Sequence, residues 1–387
     1  MKSRLLIAIV VSVVVFSFAP QSSAQTPTVP LGGSKLDSGE SVVAPARKLA
    51  PEFYSLYTGP TGAFTELGAI STRTGFESFV STLGDLGPWP GPTPPQSPDS
   101  FVLPSPFGLA FDVDGSIYAI VSWLDLGTDT LLPAPGWSRL AKVDEGTGAV
   151  TYLGAPIPLH FAGPDMDACG NLYATGFTVG APETYDPTTG TFNPPYIFGD
   201  SYLHRIDKYT GADTTVGDTG KTHWMDLAFD SEGRLWATTE NELWQLDTET
   251  GAATFITPIY GVPQYDIPGV DPADWGWMEV MSIAFDEHDN LWGTAIKGFS
   301  PDLGNSPVLE IDTHTGATTL VGYTDKPFNH GGDFRPAKVT VCHRKKGRYD
   351  TIRIDLDDLP AHRAHGDIVP GTDGYGCECP AGNARID

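Results

Sequence analysis

Residues Trp224–Ile259 read WMDLAFDSEGRLWATTENELWQLDTETGAATFITPI. Asp226–Asp230 is an apolar strand ending in Phe-Asp. Ser231-Glu232-Gly233 supplies a tight turn, with Gly where a positive φ costs little. Arg234–Thr239 is a second strand and Glu242–Asp247 a third. Thr248-Glu249-Thr250-Gly251 turns the chain into a fourth, Ala252–Thr257. Four short antiparallel strands joined by tight turns predict one blade of a β-propeller, with its first strand innermost.

The phrase recurs. Gly108–Tyr118, Gly163–Tyr173 and Ser282–Trp292 repeat the Phe-Asp turn, with variations. Val143–Gly148, Ile206–Gly211 and Ile311–Gly316 repeat the Thr-Gly turn. The Asp at 112, 167, 230 and 286 is followed six residues later by Tyr118, Tyr173, Trp236 and Trp292. A tandem period of roughly 40–65 residues means one structural unit copied around an array.

A fifth copy is divided between the two ends of the array. Phe334, in His330–Arg335, matches Phe229. Ser55-Leu56-Tyr57-Thr58 matches the second strand, and Ile70–Gly75 the third strand with its Thr-Gly turn. The last blade therefore takes its inner strand from the C-terminal side and three strands from the N-terminal side, leaving no open sheet edge. The expected fold is all-β, a five-bladed propeller over residues 47–336. A sixth, degenerate blade in 76–107 or 259–280 is the alternative.

The 387-residue chain carries 44 Gly and 34 Pro, in keeping with many turns between short strands. Pro88–Pro104 is a Pro-rich insertion expected to be a loop. Residues 1–24 read as a secretory signal: Lys2 and Arg4, an apolar run Leu5–Phe18, then Ser22-Ser23-Ala24. The run is too short to prefer spanning a bilayer, and no later stretch is a transmembrane segment. Residues 25–46 read as a flexible leader. The expected location is secreted or periplasmic. Removing the signal takes two positive charges and no negative ones, moving the formal charge from −25 to −27. So acidic a chain argues against nucleic acid as a partner.

The repeats resemble those of secreted bacterial propeller proteins with Leu-x-x-Ile-Asp-x-x-Thr-Gly units, a group similar to NHL and other six-bladed propellers. The resemblance covers about residues 50–335. It implies the fold and little about function, since propellers host both binding and catalysis.

Because the constant residues set a register, they expose the positions that vary. Seven residues before each blade Asp stand Ser105, His160, His223 and Glu279, with Phe328 in the fifth copy. This level lies just ahead of the innermost strand, where neighbouring blades converge at the channel mouth. His160, His223 and Glu279, with His330 close by, are candidate ligands of a divalent metal, calcium or zinc. Ser105, Trp224, Trp277, Asp226 and His330 are candidate ligand-binding residues, and Asp165 and Asp333 add carboxylates along the same strands. The competing readings are a wet polar channel and, for the tryptophans, packing between blades. Asp112-Val113-Asp114-Gly115 resembles a calcium loop, but an Asp in every blade is most simply a turn-former capping its own backbone. No Gly-x-Ser-x-Gly, His-Glu-x-x-His or phosphate-binding glycine loop occurs.

From residue 337 the composition changes. Arg335, Lys338, Arg344, Lys345, Lys346, Arg348 and Arg353 crowd together. Cys342-His343, Thr351–Ile354, Ala361-His362-Arg363-Ala364-His365-Gly366-Asp367 and Cys377 resemble a short Cys/His module at the ends of many exported bacterial proteins. A module of 337–387 alone is too small for a sufficient core and needs a staple. A disulfide from Cys342 to Cys377 or Cys379 is one expectation, with Cys169 a lone thiol. A metal site from Cys342, His343, His362, His365 and a tail cysteine is the other.

These readings favour an exported binding protein that meets a small molecule, glycan or protein at the channel face. A metal-dependent hydrolase or lactonase, and an envelope-associated protein tethered by its basic tail, are the alternatives.

Overall fold

In the computed structural model the described residues are 52–58, 64–87, 102–125, 137–180, 185–186, 191–192, 197–239, 241–262, 278–297, 306–324, 326, 329–345, 348–372 and 376–380. All fall in one compact unit, Ala50–Asp387. The expectations for the signal and leader, for Trp277 and Phe328, and for most of the Pro-rich insertion lie outside them.

Strands β1 (Glu52–Thr58), β2 (Phe64–Ser71) and β3 (Glu77–Thr82) pair in sequence order. Blade I is β4 (Val102–Phe111), β5 (Ile117–Asp125), β6 (Trp137–Val143) and β7 (Val150–Ile157). Blade II holds β8 (His160–Met166) and β9 (Leu172–Gly180). A small ribbon, β10 (Tyr185–Asp186) with β11 (Thr191–Phe192), follows in the chain. Strands β12 (Ile197–Ile206) and β13 (Asp213–Asp218) complete blade II. Blade III is β14 (Asp226–Phe229), β15 (Leu235–Thr239), β16 (Glu242–Leu246) and β17 (Ala253–Pro258). Blade IV is β18 (Met278–Phe285), β19 (Leu291–Lys297), β20 (Pro307–Ile311) and β21 (Thr318–Tyr323). Strand β22 (Asn329–Phe334) then pairs with β1, so blade V reads β22-β1-β2-β3.

The inner strands form a closed ring. Strands β22, β4, β8, β14 and β18 each touch the next, β18 returns to β22, and β22 also meets β8 and β14 across the axis. Five blades complete the circle, which leaves no place for a sixth. The Pro-rich insertion differs from expectation at its end, where Val102-Leu103-Pro104 joins β4. Strand β4 has a partner only in β5, and proline is tolerated along such an edge.

Both recurring phrases have a mechanical reason. Asp230 Oδ1 accepts the N–H groups of Glu232 (3.0 Å) and Arg234 (2.9 Å), and Oδ2 accepts Trp236 Nε1 (2.8 Å). Asp286 does the same for His288, Asn290 and Trp292. The Asp thus ties its turn to the aromatic six residues on, as a turn-former should. The calcium-like loop is engaged otherwise: Asp112 pairs with Lys208 and Asp114 with Arg363, at 2.6 and 2.7 Å.

In the second phrase Asp144, Asp207, Asp247 and Asp312 accept the N–H of Thr147, Thr210, Thr250 and Thr315 at 2.8–2.9 Å. Their glycines, and Gly75 of blade V, sit at φ between 66° and 79°. Each lies on the outer strand of the preceding blade: Gly148 on Thr82, Gly211 on Leu153, Gly251 on Gly217, Gly316 on Pro258 and Gly75 on Gly322. The Thr-Gly turn is therefore the clip between blades, and only a residue without Cβ fits it. Large side chains fill the remaining interfaces, as where Trp236 of blade III meets Phe285 of blade IV at 5.9 Å between ring centroids, in a core shared with Ile283 and Leu291.

The tail packs on the propeller. Strands β23 (Lys338–Lys345) and β24 (Arg348–Asp355) form a hairpin, followed by a 3-10 turn, Leu356–Asp358, and helix α1 (Leu359–Ala364). Val339, Val341, Leu356, Leu359 and Val369 share a core with Val113 of blade I. Cys342 bonds to Cys379, with Cα atoms 5.4 Å apart. Cys377 bonds to Cys169, at 4.8 Å. Cys169 is therefore not a lone thiol, and Cys377 does not pair with Cys342. The tail lies against the turn carrying Cys169, so the nearer cysteine sits on blade II rather than within the module. Among the described residues no helix is long and apolar enough to cross a membrane.

Candidate functional site

Every inner strand runs from one face of the propeller to the turn that follows it on the other. The variable column therefore stands at the face opposite the tail, at or just ahead of the strand starts. Ser105 is on β4, His160 opens β8, Glu279 is on β18, and Asn329 and His330 open β22. All five are buried. His223 lies in the segment before β14 and is half-buried. Its φ of 61° is unusual for a residue with Cβ, and its carbonyl accepts Thr239 Oγ1 at 2.6 Å. That hydrogen bond fixes the turn from which His223 projects.

Aromatic rings separate these groups. The His160 imidazole meets Phe107 and Phe177 edge-on, at centroid distances of 4.6 and 4.8 Å. Phe107 also meets His330 edge-on, at 5.2 Å. His160 Nδ1 is buried with no hydrogen-bond partner. Burial, then His330 and His223, push the His160 pKa down to about 3. Burial and His223 push His330 to about 3, and burial alone takes His223 to about 4. At neutral pH the mouth is lined by three uncharged imidazoles, each able to donate at one nitrogen and accept at the other.

Deeper along the strands three carboxyls bridge neighbouring blades, Asp165 and Asp226 buried and Asp333 half-buried. Asp333 Oδ2 accepts the Phe111 N–H (2.7 Å), linking blades V and I. Asp165 Oδ2 accepts the Phe229 N–H (2.5 Å), linking II and III. Asp226 Oδ2 accepts the Ile283 N–H (2.8 Å), linking III and IV. Burial raises Asp333 to about 7 and lifts Asp165 and Asp226 well above the usual carboxylate range. Mutual repulsion adds to the rise at Asp165 and Asp226. Charge so far withdrawn from solvent is costly, and a proton removes it.

Trp224 is 1 % exposed, its Nε1 donates to Thr219 Oγ1 at 2.9 Å, and its ring meets Trp244 edge-on. Both its N–H and its ring are engaged within the propeller. His160, His223, Glu279, His330 and Ser105 do belong to one end of the propeller. Their donor atoms, however, do not form a close chelating set. Among the described residues the group of three donors lying within 4.8 Å of one another is His343, His362 and Asp367, in the tail. There Cys342 is consumed by its disulfide, so it cannot supply the expected thiolate. Asp367 takes its place, while His365 stands beside His362 at 6.4 Å between ring centroids.

Sequence reasoning missed Phe107, Phe177 and Asp367. Phe177 pairs with His160 in the β8–β9 register, so counting back along that hairpin would have found it. Asp367 stood in plain view in His365-Gly366-Asp367, but was not weighed as a donor.

No protein-family model matches the chain, and no curated protein matches it. Solved structures similar in outline include a protein of unknown function from Bacteroides caccae (11% identity, TM-score 0.37, covering 74% of this chain and 99% of that one). TolB from Acinetobacter baumannii is another (13%, 0.35, 80% and 61%). A third is the calcium-binding protein regucalcin from Agrobacterium tumefaciens (14%, 0.33, 70% and 93%). At these scores the comparisons carry no argument about the site, which rests on its own geometry.

Proposed function

We propose that this chain is an exported binding protein whose propeller takes a small, uncharged, hydroxyl-rich ligand, such as a sugar, at the mouth formed by Ser105, His160, His223, Glu279 and His330. The observation that carries this reading is His160: a neutral imidazole walled by Phe107 and Phe177, with Nδ1 buried and without a hydrogen-bond partner among the described residues. A buried polar atom without a partner is rare enough in native proteins to call for a reason, and a ligand hydroxyl supplies one. Neutral imidazoles and a carboxylate suit hydroxyls, while aromatic edges suit the C–H faces of a sugar ring. Two disulfides accord with an oxidising compartment.

The metal-dependent hydrolase reading draws on the same neutral imidazoles. Phe107 packed against both His160 and His330 weighs against it, since one ion needs their donor atoms to converge. Calorimetric titration with a panel of mono- and oligosaccharides tests the proposal. Saccharide binding that weakens at least tenfold in His160→Phe supports it. Binding unchanged in His160→Phe, or none across the panel, overturns it. Saccharide hydrolysis abolished by a chelator would favour the enzyme instead.

A further inference from the structure

We infer that the tail holds a second, independent site, a zinc-class transition-metal centre made by His343 Nδ1, His362 Nδ1 and Asp367 Oδ2. Both imidazole nitrogens converge on a single carboxylate oxygen, at 2.8 and 2.6 Å. The other oxygen is already occupied, accepting the Arg344 N–H at 2.8 Å. The Asp367 side chain is 1 % exposed, and those of His343 and His362 are 33 % and 22 % exposed. A buried carboxylate is thus fixed at the floor and two imidazoles stand at an open rim, which gives an ion a path in.

The three donors come from different elements, and each element is pinned. Cys342 N–H donates to the Ile368 carbonyl at 2.7 Å and Ile368 N–H returns the bond at 3.2 Å, setting His343 beside Asp367. The Cys342–Cys379 disulfide holds the same strand. Helix α1 delivers His362, and the Asp367 N–H donates to the His362 carbonyl at 3.1 Å. Donors on locked backbone are what a metal centre requires.

Two nitrogens and one carboxylate oxygen suit zinc and its neighbours. Calcium and magnesium, which need more oxygens, fit poorly. Without metal, each Nδ1 carries a proton and donates to Asp367. A bound ion would take Nδ1 of each ring with the proton carried instead on Nε2, and the donors, now at hydrogen-bond spacing, would part slightly around it. His365, three residues along the chain from His362 with its ring centroid 6.4 Å away, is the candidate for the fourth position.

The test uses the full oxidised chain, loaded with zinc chloride, freed of excess and analysed for metal. The wild type is expected to retain one zinc per chain, and cobalt substituted for it to show d–d absorption. The pair His343→Gln/His362→Gln keeps side-chain N–H donors for Asp367 but removes the imidazole ligands. It should lose the zinc while melting as a folded, fully oxidised protein. His160→Phe/His223→Ala, at the other end of the propeller, should retain it. A wild type that holds no zinc overturns the inference. So does zinc retained by the tail pair, or zinc lost only from the mouth pair. Absence of zinc, or zinc retained by the tail pair, leaves saccharide binding untouched, whereas zinc lost only from the mouth pair would favour the metal-dependent reading of the mouth.

Discussion

Lys208 Nζ lies 2.6 Å from Asp112 Oδ2, and both side chains are almost wholly buried. Lys208 extends from the turn after β12 of blade II, Asp112 opens the turn after β4 of blade I, and the same ammonium donates to the Gly371 carbonyl of the tail at 2.7 Å. One cation thus joins two blades and the tail. Burial pushes the Asp112 carboxyl up more than the Lys208 hydrogen bond and charge pull it down. The pair therefore reads as a costly, specific contact rather than a strong source of stability.

Lys208→Met should destabilise the chain by roughly 3–5 kcal/mol, because it strands a buried carboxylate. Adding Asp112→Asn should recover part of that loss. Urea unfolding of the two variants checks this, and a double variant weaker than the single one would contradict the assignment.

Gly251 and Gly233 share nearly the same φ, 79° and 77°, but not the same surroundings. A Cβ on Gly251 would sit 2.5 Å from the Gly217 carbonyl oxygen of blade II, whereas one on Gly233 would meet nothing within 4 Å. Gly233→Ala should cost only the strain of its backbone, about 1 kcal/mol. Gly251→Ala should cost clearly more, because blades II and III must part. Equal losses in chemical denaturation would remove the Thr-Gly turn's role as a clip.

What was legible in the sequence was what is local. Asp230 bonding residues two, four and six positions away leaves a fixed spacing, and so does Asp247 bonding Thr250. Closure by β22 and β1 was also legible, because Phe334 and Ser55-Leu56-Tyr57 keep the blade phrase on either side of the join. The column His160, His223, Glu279 followed from that register. Contacts between distant turns left no such trace. Lys208 with Asp112, and Cys169 with Cys377, are separated by 96 and 208 residues. Nor does any spacing distinguish Trp224, sealed against Thr219, from a tryptophan that faces a ligand.

The disulfide that joins tail to propeller makes a direct prediction. Non-reducing peptide mapping should recover Cys169 with Cys377 and Cys342 with Cys379. Cys169→Ser/Cys377→Ser should lower stability by roughly 2–5 kcal/mol. Because the shared core of Val113, Leu356 and Leu359 remains, the tail should stay docked in that variant, resisting limited proteolysis at native conditions. A tail cleaved as fast as an unfolded chain would show that the covalent link alone holds it.

The channel centre predicts an opposed pH dependence. Asp333 keeps its proton up to about pH 7 when folded, against an ordinary carboxylate value of 3.8. Between those values the folded chain holds more protons, so this contribution is present in acid and lost as pH rises through about 7. His160 and His330, lowered from 6.5 to about 3, and His223, lowered to about 4, act in the other direction. Their contribution is present above 6.5 and lost as pH falls through 4 and then 3. Asp333→Asn removes this carboxyl together with the repulsion it exerts on Asp165 and Asp226. The amide oxygen can still accept the Phe111 N–H, while the amide nitrogen facing the Phe334 N–H imposes a cost that does not vary with pH. The melting temperature of the variant minus that of the wild type should therefore rise from pH 5 to pH 8, by about 2 °C or more. A difference that stays flat across that range would mean that Asp333 ionises freely, and that the centre of the propeller is wetter than its packing implies.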